Sequence, residues 1–198
     1  MKKGQNFNHP KRGAQIKVEP IKRFKDIKAI KKLLAGRPRD LALFTVGINT
    51  NLRASDLLSI KAGHVKDLKP MSDLEIREKK TGKFRRVTLN KSCVDVIQEL
   101  LASHDHADSD PLFKGRGNEP LTVPSVNRLV KQWIDAINLQ GNYGCHTLRK
   151  TFGYHQRVTF NVGIPELMVC FNHSSQRQTL DYLCIQPEEI RSVYANEI

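Results

Sequence analysis

Four side chains in the last third of the sequence are of types that handle a phosphate. His146-Thr147-Leu148-Arg149 opens a segment of helical pattern, so His146 and Arg149, at i and i+3, share one face. A helix N-terminus bearing an imidazole and a guanidinium suits an oxyanion or a phosphate, because unpaired backbone N–H groups and the positive end of the helix dipole gather there too. Phe171-Asn172-His173-Ser174-Ser175 reads as a junction between helices, and Tyr182 follows His173 by nine residues. A tyrosine becomes a nucleophile only where its surroundings help the phenol to ionise. Taken singly, each of these residues has an ordinary explanation. His and Arg on an amphipathic helix are commonly polar surface, and a tyrosine within a helix is more often a packed aromatic.

The elements that must position them can be read from periodicity. Apolar residues at helical spacing predict helices over Phe24–Ala35 and from Pro38 to Ile48, broken by Asn49-Thr50-Asn51, and a short third helix over Leu52–Ile60. Between Lys66 and Asn90 the period changes. Leu74, Ile76 and Glu78 lead into Lys79-Lys80-Thr81-Gly82-Lys83 and then Phe84 to Leu89, which reads as a β-hairpin closed by a basic, Gly-containing turn. Helices follow over Ser92–Ser103 and Pro124–Leu139, separated by a loop over His104–Glu119. Further helices are expected over His146–Val158, Pro165–Phe171, Arg177–Cys184 and Pro187–Asn196. The fold class is therefore α+β and mainly helical, with a small antiparallel sheet near the middle. Trp133 sits at core spacing within its helix. No linker divides the globular part, so the expected organisation is a basic arm, residues 1–24, and one domain, residues 25–198.

Charge points to the partner. The 198 residues contain 33 Lys and Arg against 20 Asp and Glu, a formal charge of +13. Residues 1–40 hold 13 of the cations and 3 of the acids, so the excess is concentrated at the N-terminal end. Such a balance favours a polyanion, nucleic acid first, gripped by counterion release without reading of sequence. No apolar run approaches the roughly 20 residues of a membrane span, and the start carries no hydrophobic signal segment. Four scattered cysteines without a Cys-x-x-Cys pair argue against a zinc ribbon or a disulfide framework, and for reduced thiols in a cytoplasmic, nucleoid-associated protein.

In order, the pieces resemble the tyrosine recombinase (phage integrase) family. The resemblance lies in His146-x-x-Arg149, a His about two dozen residues later, and Tyr182 nine residues after that. Upstream, Leu52-Arg53-Ala54-Ser55-Asp56-Leu57-Leu58 resembles the family's first box. Lys80-Thr81-Gly82-Lys83-Phe84-Arg85-Arg86-Val87 resembles the hairpin that carries its catalytic Lys. Arg53, Lys80, His146, Arg149, His173 and Tyr182 fill the six catalytic positions over a stretch from about residue 25 to 190.

The resemblance implies a DNA strand transferase. Tyr182 would attack the scissile phosphorus, forming a 3′-phosphotyrosyl link and freeing a 5′-hydroxyl. Arg53 and Arg149 carry planar forks suited to the nonbridging phosphate oxygens. Lys80 would protonate the departing oxygen, with Lys79 as its alternative. His146 is the candidate acceptor for the tyrosine proton, and His173 would hydrogen-bond a phosphate oxygen. Asp56 would brace Arg53 or His146 from behind. Attack by the 5′-hydroxyl of another strand reverses the step and conserves bond energy, so neither metal nor cofactor is expected. Lys11, Arg12, Lys22, Arg23, Lys25, Lys79, Lys83, Arg85 and Lys150 are the candidate DNA contacts. The expected partners are double-stranded DNA, a homo-tetramer assembled on it, and an accessory or full-length recombinase.

Some features depart from the family pattern. Lys150 stands where members commonly have His, and Asn172 where they have Gly. Members also place a helical core-binding domain before the catalytic one, whereas the first predicted helix here begins at Phe24. Two other readings remain: a noncatalytic DNA-binding regulator derived from a recombinase, and a type IB topoisomerase-like relaxing enzyme. His104-Asp105-His106 with Asp108 and Asp110 lies on one loop without a distant ligand and reads as solvated rather than metal-binding. Gly115-Arg116-Gly117 reads as a turn, and the weakly apolar tail from Pro187 to Ile198 as a segment that packs in cis or in trans.

Overall fold

Helix boundaries follow local capping chemistry. A computed structural model describes residues 18–183, 191 and 194–197. Asn90 starts α4 (Lys91–Ser103) by accepting the Cys93 N–H at 3.0 Å. Thr122 does the same for α5 (Val123–Ala136), accepting Ser125 N–H at 3.2 Å, with Pro124 in the first turn. α1 (Phe24–Leu33) turns Ile27 and Ile30 inward, and α2 (Pro38–Asn49) begins on a proline. α6 (Cys145–Tyr154), α7 (Ile164–Phe171) and α8 (Gln176–Leu183) complete the described helices. The expected helix over Pro187–Asn196 falls largely outside the described residues, as does most of the arm.

The expected helix over Leu52–Ile60 contracts to α3 (Ala54–Leu57). Tertiary pairing explains the shortening: Ile60 C=O accepts Leu112 N–H, and Ala62 N–H donates to Asp110, so this backbone is drawn across to the 104–118 loop. Leu52, Leu57 and Ile60 are buried all the same. At its other end α6 runs into a π-helical turn, His155–Thr159, where a uniform helix was expected. His155 is buried there, hydrogen-bonded to Thr159 Oγ1 and to the carbonyl of Ile21.

The sheet has two antiparallel strands, β1 (Asp73–Arg77) and β2 (Phe84–Thr88), with Leu74 opposite Val87 and Ile76 opposite Arg85. Leu74, Ile76 and Val87 enter the core. α2 is the central helix and packs on both α4 and α6. Phe44 of α2 meets Trp133 of α5 edge-on at 5.9 Å. Gly47 sets the close approach of α2 to α6, since a Cβ there would lie 2.7 Å from Leu148 Cδ1. The described end of the arm is tied to α6: Ile21 is fully buried and its N–H donates to Thr151 Oγ1 at 2.9 Å.

Candidate active site

The candidate residues fall into two clusters of contacts. The first is built on carboxylates. Arg53 stands at the N-cap of α3 in extended conformation, which lifts its side chain off the helix toward the hairpin. Its Nη1 lies 2.9 Å from Glu78 Oε2 and 3.7 Å from Asp56 Oδ2. Asp56 is fully buried, and its Oδ1 accepts the backbone N–H of Lys79 at 2.9 Å. Asp56 thus stands within ion-pair distance of Arg53 and pins the root of the hairpin turn. Glu78 is fully buried between two guanidiniums, with Arg85 Nη1 at 3.2 Å from Oε1. Burial alone would raise its carboxyl, but donation from the Thr81 hydroxyl and from Arg53 and Arg85 outweighs this and holds it down at about 2. A charge buried without such partners would be costly, and here it has them.

The second cluster surrounds a ring. Arg149, on the third residue after His146 in α6, is 3% exposed and donates to the carbonyls of Asn51 (2.8 Å) and Phe171 (2.9 Å). Its guanidinium carbon lies 5.1 Å from the centre of the Phe171 ring and 5.6 Å from that of Tyr182. Burial brings its pKa down to about 10, still charged at neutral pH. α7 ends on Asn172 in the left-handed conformation (φ 54°, ψ 45°), one of the few non-glycine types that adopts it readily. That turn delivers His173, which stacks on Phe171 at 5.1 Å, hydrogen-bonds Thr179 Oγ1 at 3.0 Å and meets the Tyr182 ring edge-on at 5.6 Å. α8 then carries Tyr182 against Phe171, 4.9 Å between ring centres.

Electrostatics set the protonation states. Desolvation pushes the Tyr182 phenol up to about 12 against the opposing pull of Arg149, so the resting tyrosine is neutral. Desolvation, then the charges of Arg149, Arg53 and Arg85, lowers His173 to about 4. His146 lies on the exposed rim with its Nδ1 3.3 Å from Cys145 Sγ. Protein packed around its ring, then Arg149, Lys150, Arg53 and Lys80, moves its pKa below the ordinary imidazole value. Both histidines are therefore neutral at pH 7 and able to accept hydrogen bonds or protons.

Lys80 is exposed on the turn between the strands and makes no ion pair among the described residues. Lys79 and Lys83 flank it, also exposed. Lys150 Nζ lies 5.5 Å over the Tyr182 ring. Lys22 and Lys25 face solvent, whereas Arg23 pairs with Asp26 at 2.7 Å. Lys11 and Arg12 lie outside the described residues. Arg85, expected among the DNA-contacting cations, turns inward instead: its side chain is 10% exposed, paired with Glu78 and donating to the Cys170 carbonyl. The buried negative charge of Glu78 draws it in.

Sequence reasoning missed Glu78 as a site residue, although a signal was present. Glu78 continues the inward phase of Leu74 and Ile76, and a carboxylate in a buried strand phase requires cationic partners. Asn51, left-handed at φ 55°, was missed too; its side chain donates to Cys170 C=O at 2.7 Å and its own carbonyl receives Arg149. A cavity of about 880 Å³ between the start of α2 and the 104–118 loop shares no lining residue with either cluster. Among the described residues, no group of three or more His, Cys, Asp or Glu is placed to hold a metal, and no helix is long and apolar enough to cross a membrane.

Comparison with known proteins bears on the family and the fold. The model of the phage integrase family matches residues 23–189. A Bacillus subtilis protein described as "Probable integrase/recombinase YoeC" is 35% identical over 181 residues, covering 89% of this chain and 95% of that protein. The crystal structure of XerA recombinase superposes with a TM-score of 0.73 at 20% identity, over 92% of this chain and 65% of that one. XerH site-specific recombinase, solved on its palindromic difH substrate after cleavage, gives 0.71 at 21% identity over 87% of this chain and 51% of its own. The chain thus spans nearly all of the Bacillus relative but only about half to two thirds of these two recombinases.

Proposed function

Because the chain belongs to the phage integrase family, we propose that it is a site-specific recombinase, cutting and rejoining duplex DNA through a 3′-phosphotyrosyl intermediate. The observation that carries this reading is the gathering of Arg149, His173 and Tyr182 around one ring, Phe171. Arg149 comes to this ring from a separate helix, 22 residues ahead of Phe171, and packing alone gives no reason to bury a guanidinium beside a phenol.

Each step has a side chain to perform it. Arg53 and Arg149 meet the nonbridging oxygens of the phosphate and stabilise the charge that grows on them. The Tyr182 phenol, neutral at rest, attacks phosphorus and passes its proton to His146, whose lowered pKa keeps it free to accept. The bond from phosphorus to the 5′-oxygen breaks, and the Lys80 ammonium gives that oxygen a proton. His173 hydrogen-bonds a nonbridging oxygen. A 5′-hydroxyl from another strand reverses the sequence and regenerates the phenol. Every charge in the scheme is met by a side chain, so it proceeds without a metal or a cofactor. Exchange between two duplexes calls for several copies, and a homo-tetramer on DNA is the assembly we expect. The exposed cations Lys22, Lys25, Lys79 and Lys83 would hold the backbone through counterion release.

The test is a pool of nicked duplexes in which cleavage releases a short fragment and strands the enzyme on DNA. Wild type should form a covalent adduct in the presence of a chelator, mapping to Tyr182 and lost in Tyr182→Phe. No adduct on any duplex would overturn the reading. An adduct accompanied by relaxation of arbitrary plasmids, without exchange products, would favour a topoisomerase.

A further inference from the structure

The fully buried Glu78 is shared by more elements than any other carboxylate in the site. Its Oε2 lies 2.9 Å from Arg53 Nη1, accepts the Thr81 hydroxyl at 2.8 Å, and lies 3.4 Å from Asn172 Nδ2. Its Oε1 takes Arg85. Its backbone closes the hairpin turn on both sides: Glu78 N–H donates to Lys83 C=O, and Gly82 N–H donates to Glu78 C=O. Lys80 therefore sits on a loop whose two ends and whose middle, at Thr81, are tied to one residue. Asp56 completes the clamp by holding Lys79 N–H.

We propose that Glu78 is a positioning residue, one carboxylate that holds the Arg53 fork in its working place and, through Thr81, shapes the turn that presents Lys80. The argument rests on the recombinase reading above. A guanidinium on a side chain with four rotatable bonds has no fixed place unless something opposes it. Arg53 is 21% exposed and its other carboxylate, Asp56, stands 3.7 Å away, so without Glu78 it is held only weakly against swinging toward solvent. The hairpin turn is exposed and Lys80 makes no ion pair among the described residues, so the buried bonds at Glu78 and Asp56 anchor a turn otherwise held by exposed bonds such as Arg77 Nε to Gly82 C=O. A common anchor keeps the group that meets the phosphate and the group that protonates the leaving oxygen in register, where small displacements are expensive in rate. Arg85 serves the same anchor by pairing with Oε1 and reaching the Cys170 carbonyl just ahead of Asn172 and His173.

Leaving-group chemistry separates the two halves. A substrate whose scissile bond runs to a bridging 5′-sulfur releases a thiolate that needs no proton, so it bypasses a fault at Lys80 but not one at Arg53. Single-turnover adduct formation is measured on a duplex recovered from the nicked pool, in its oxygen and its 5′-sulfur forms. Glu78→Gln should be slower by about 100-fold on oxygen and still by about tenfold on sulfur, because sulfur relieves the Lys80 fault while the Arg53 defect persists. Thr81→Val, an exposed substitution that leaves Arg53 paired, should be about tenfold slower on oxygen and near wild type on sulfur. Glu78→Asp keeps the buried charge for folding while drawing it back from Arg53, and should repeat the Gln pattern in weaker form. It carries the Arg53 half if the Gln protein does not fold, which a thermal melt decides. Glu78 variants within twofold of wild type on oxygen would overturn the proposal. So would full rescue of the Glu78 variants on sulfur, for the Arg53 half, or a Thr81→Val loss that sulfur does not relieve, for the Lys80 half. If wild type itself forms no adduct, the recombinase reading fails and this one with it.

Discussion

Replacing Glu78 by Gln should change stability in a pH-dependent way whose size follows from the site. The carboxylate titrates at about 2 in the folded protein, against 4.5 for an unperturbed glutamate. A folded pKa lying below the unfolded one means that the stabilisation is fully present above the unfolded value and is lost as pH falls through the folded one. The shift corresponds to about 3 kcal/mol at neutral pH, of which roughly 2 kcal/mol is gone by about pH 3. The glutamine variant lacks this contribution at every pH, and a protonated glutamate resembles it. Wild type should therefore unfold at a temperature roughly 6–12 °C higher than Glu78→Gln at pH 7, and the two should converge on acidification. Thermal and urea unfolding followed by circular dichroism, wild type and variant side by side from pH 7 to pH 3, measures the difference directly. Other carboxylates titrate in both proteins and cancel. A gap that stays constant across this range would refute the reasoning, since it would mean that the carboxylate is not ionised against Arg53 and Arg85.

Three further outcomes are expected. By NMR, the His173 imidazole should titrate near 4 rather than near 6.5, and upward once Arg149 is replaced, because the guanidinium is one of the charges that hold it down. Arg149→Ala should destabilise the protein by about 2–4 kcal/mol in urea unfolding, because two buried carbonyls, on Asn51 and Phe171, lose their donor. Gly153→Ala, which would favour an exposed helix, should instead impair adduct formation. Its Cβ would lie 2.7 Å from both Phe171 Cζ and Leu183 Cδ2, so the ring beneath Tyr182 and the helix that carries it must shift. An adduct rate equal to wild type would show that α8 tolerates the displacement.

Much of this protein was legible without coordinates, for a definite reason. His146 and Arg149 share a face because a helix repeats every 3.6 residues, and apolar residues at the same spacing mark α1, α2, α4 and α5. Such features depend on neighbours a few positions away, so type and spacing carry them. The same holds for the hairpin, whose alternation and Gly82 turn are local.

What neighbours in space decide was hidden. The Leu52–Ile60 pattern is helical by composition, yet only Ala54–Leu57 coils, because the following backbone pairs with the 104–118 loop. Arg85 reads as a surface cation on a basic hairpin and is in fact drawn inward by Glu78. The sequence by itself determined which residues could do chemistry on a phosphate and which elements carry them. Only the tertiary structure decided how those groups are charged and held: a carboxylate is kept ionised at Glu78, and imidazole and phenol are kept neutral at His173 and Tyr182. Protonation depends on desolvation and on charges within a few ångströms, and those distances exist only after segments remote in the chain have packed together.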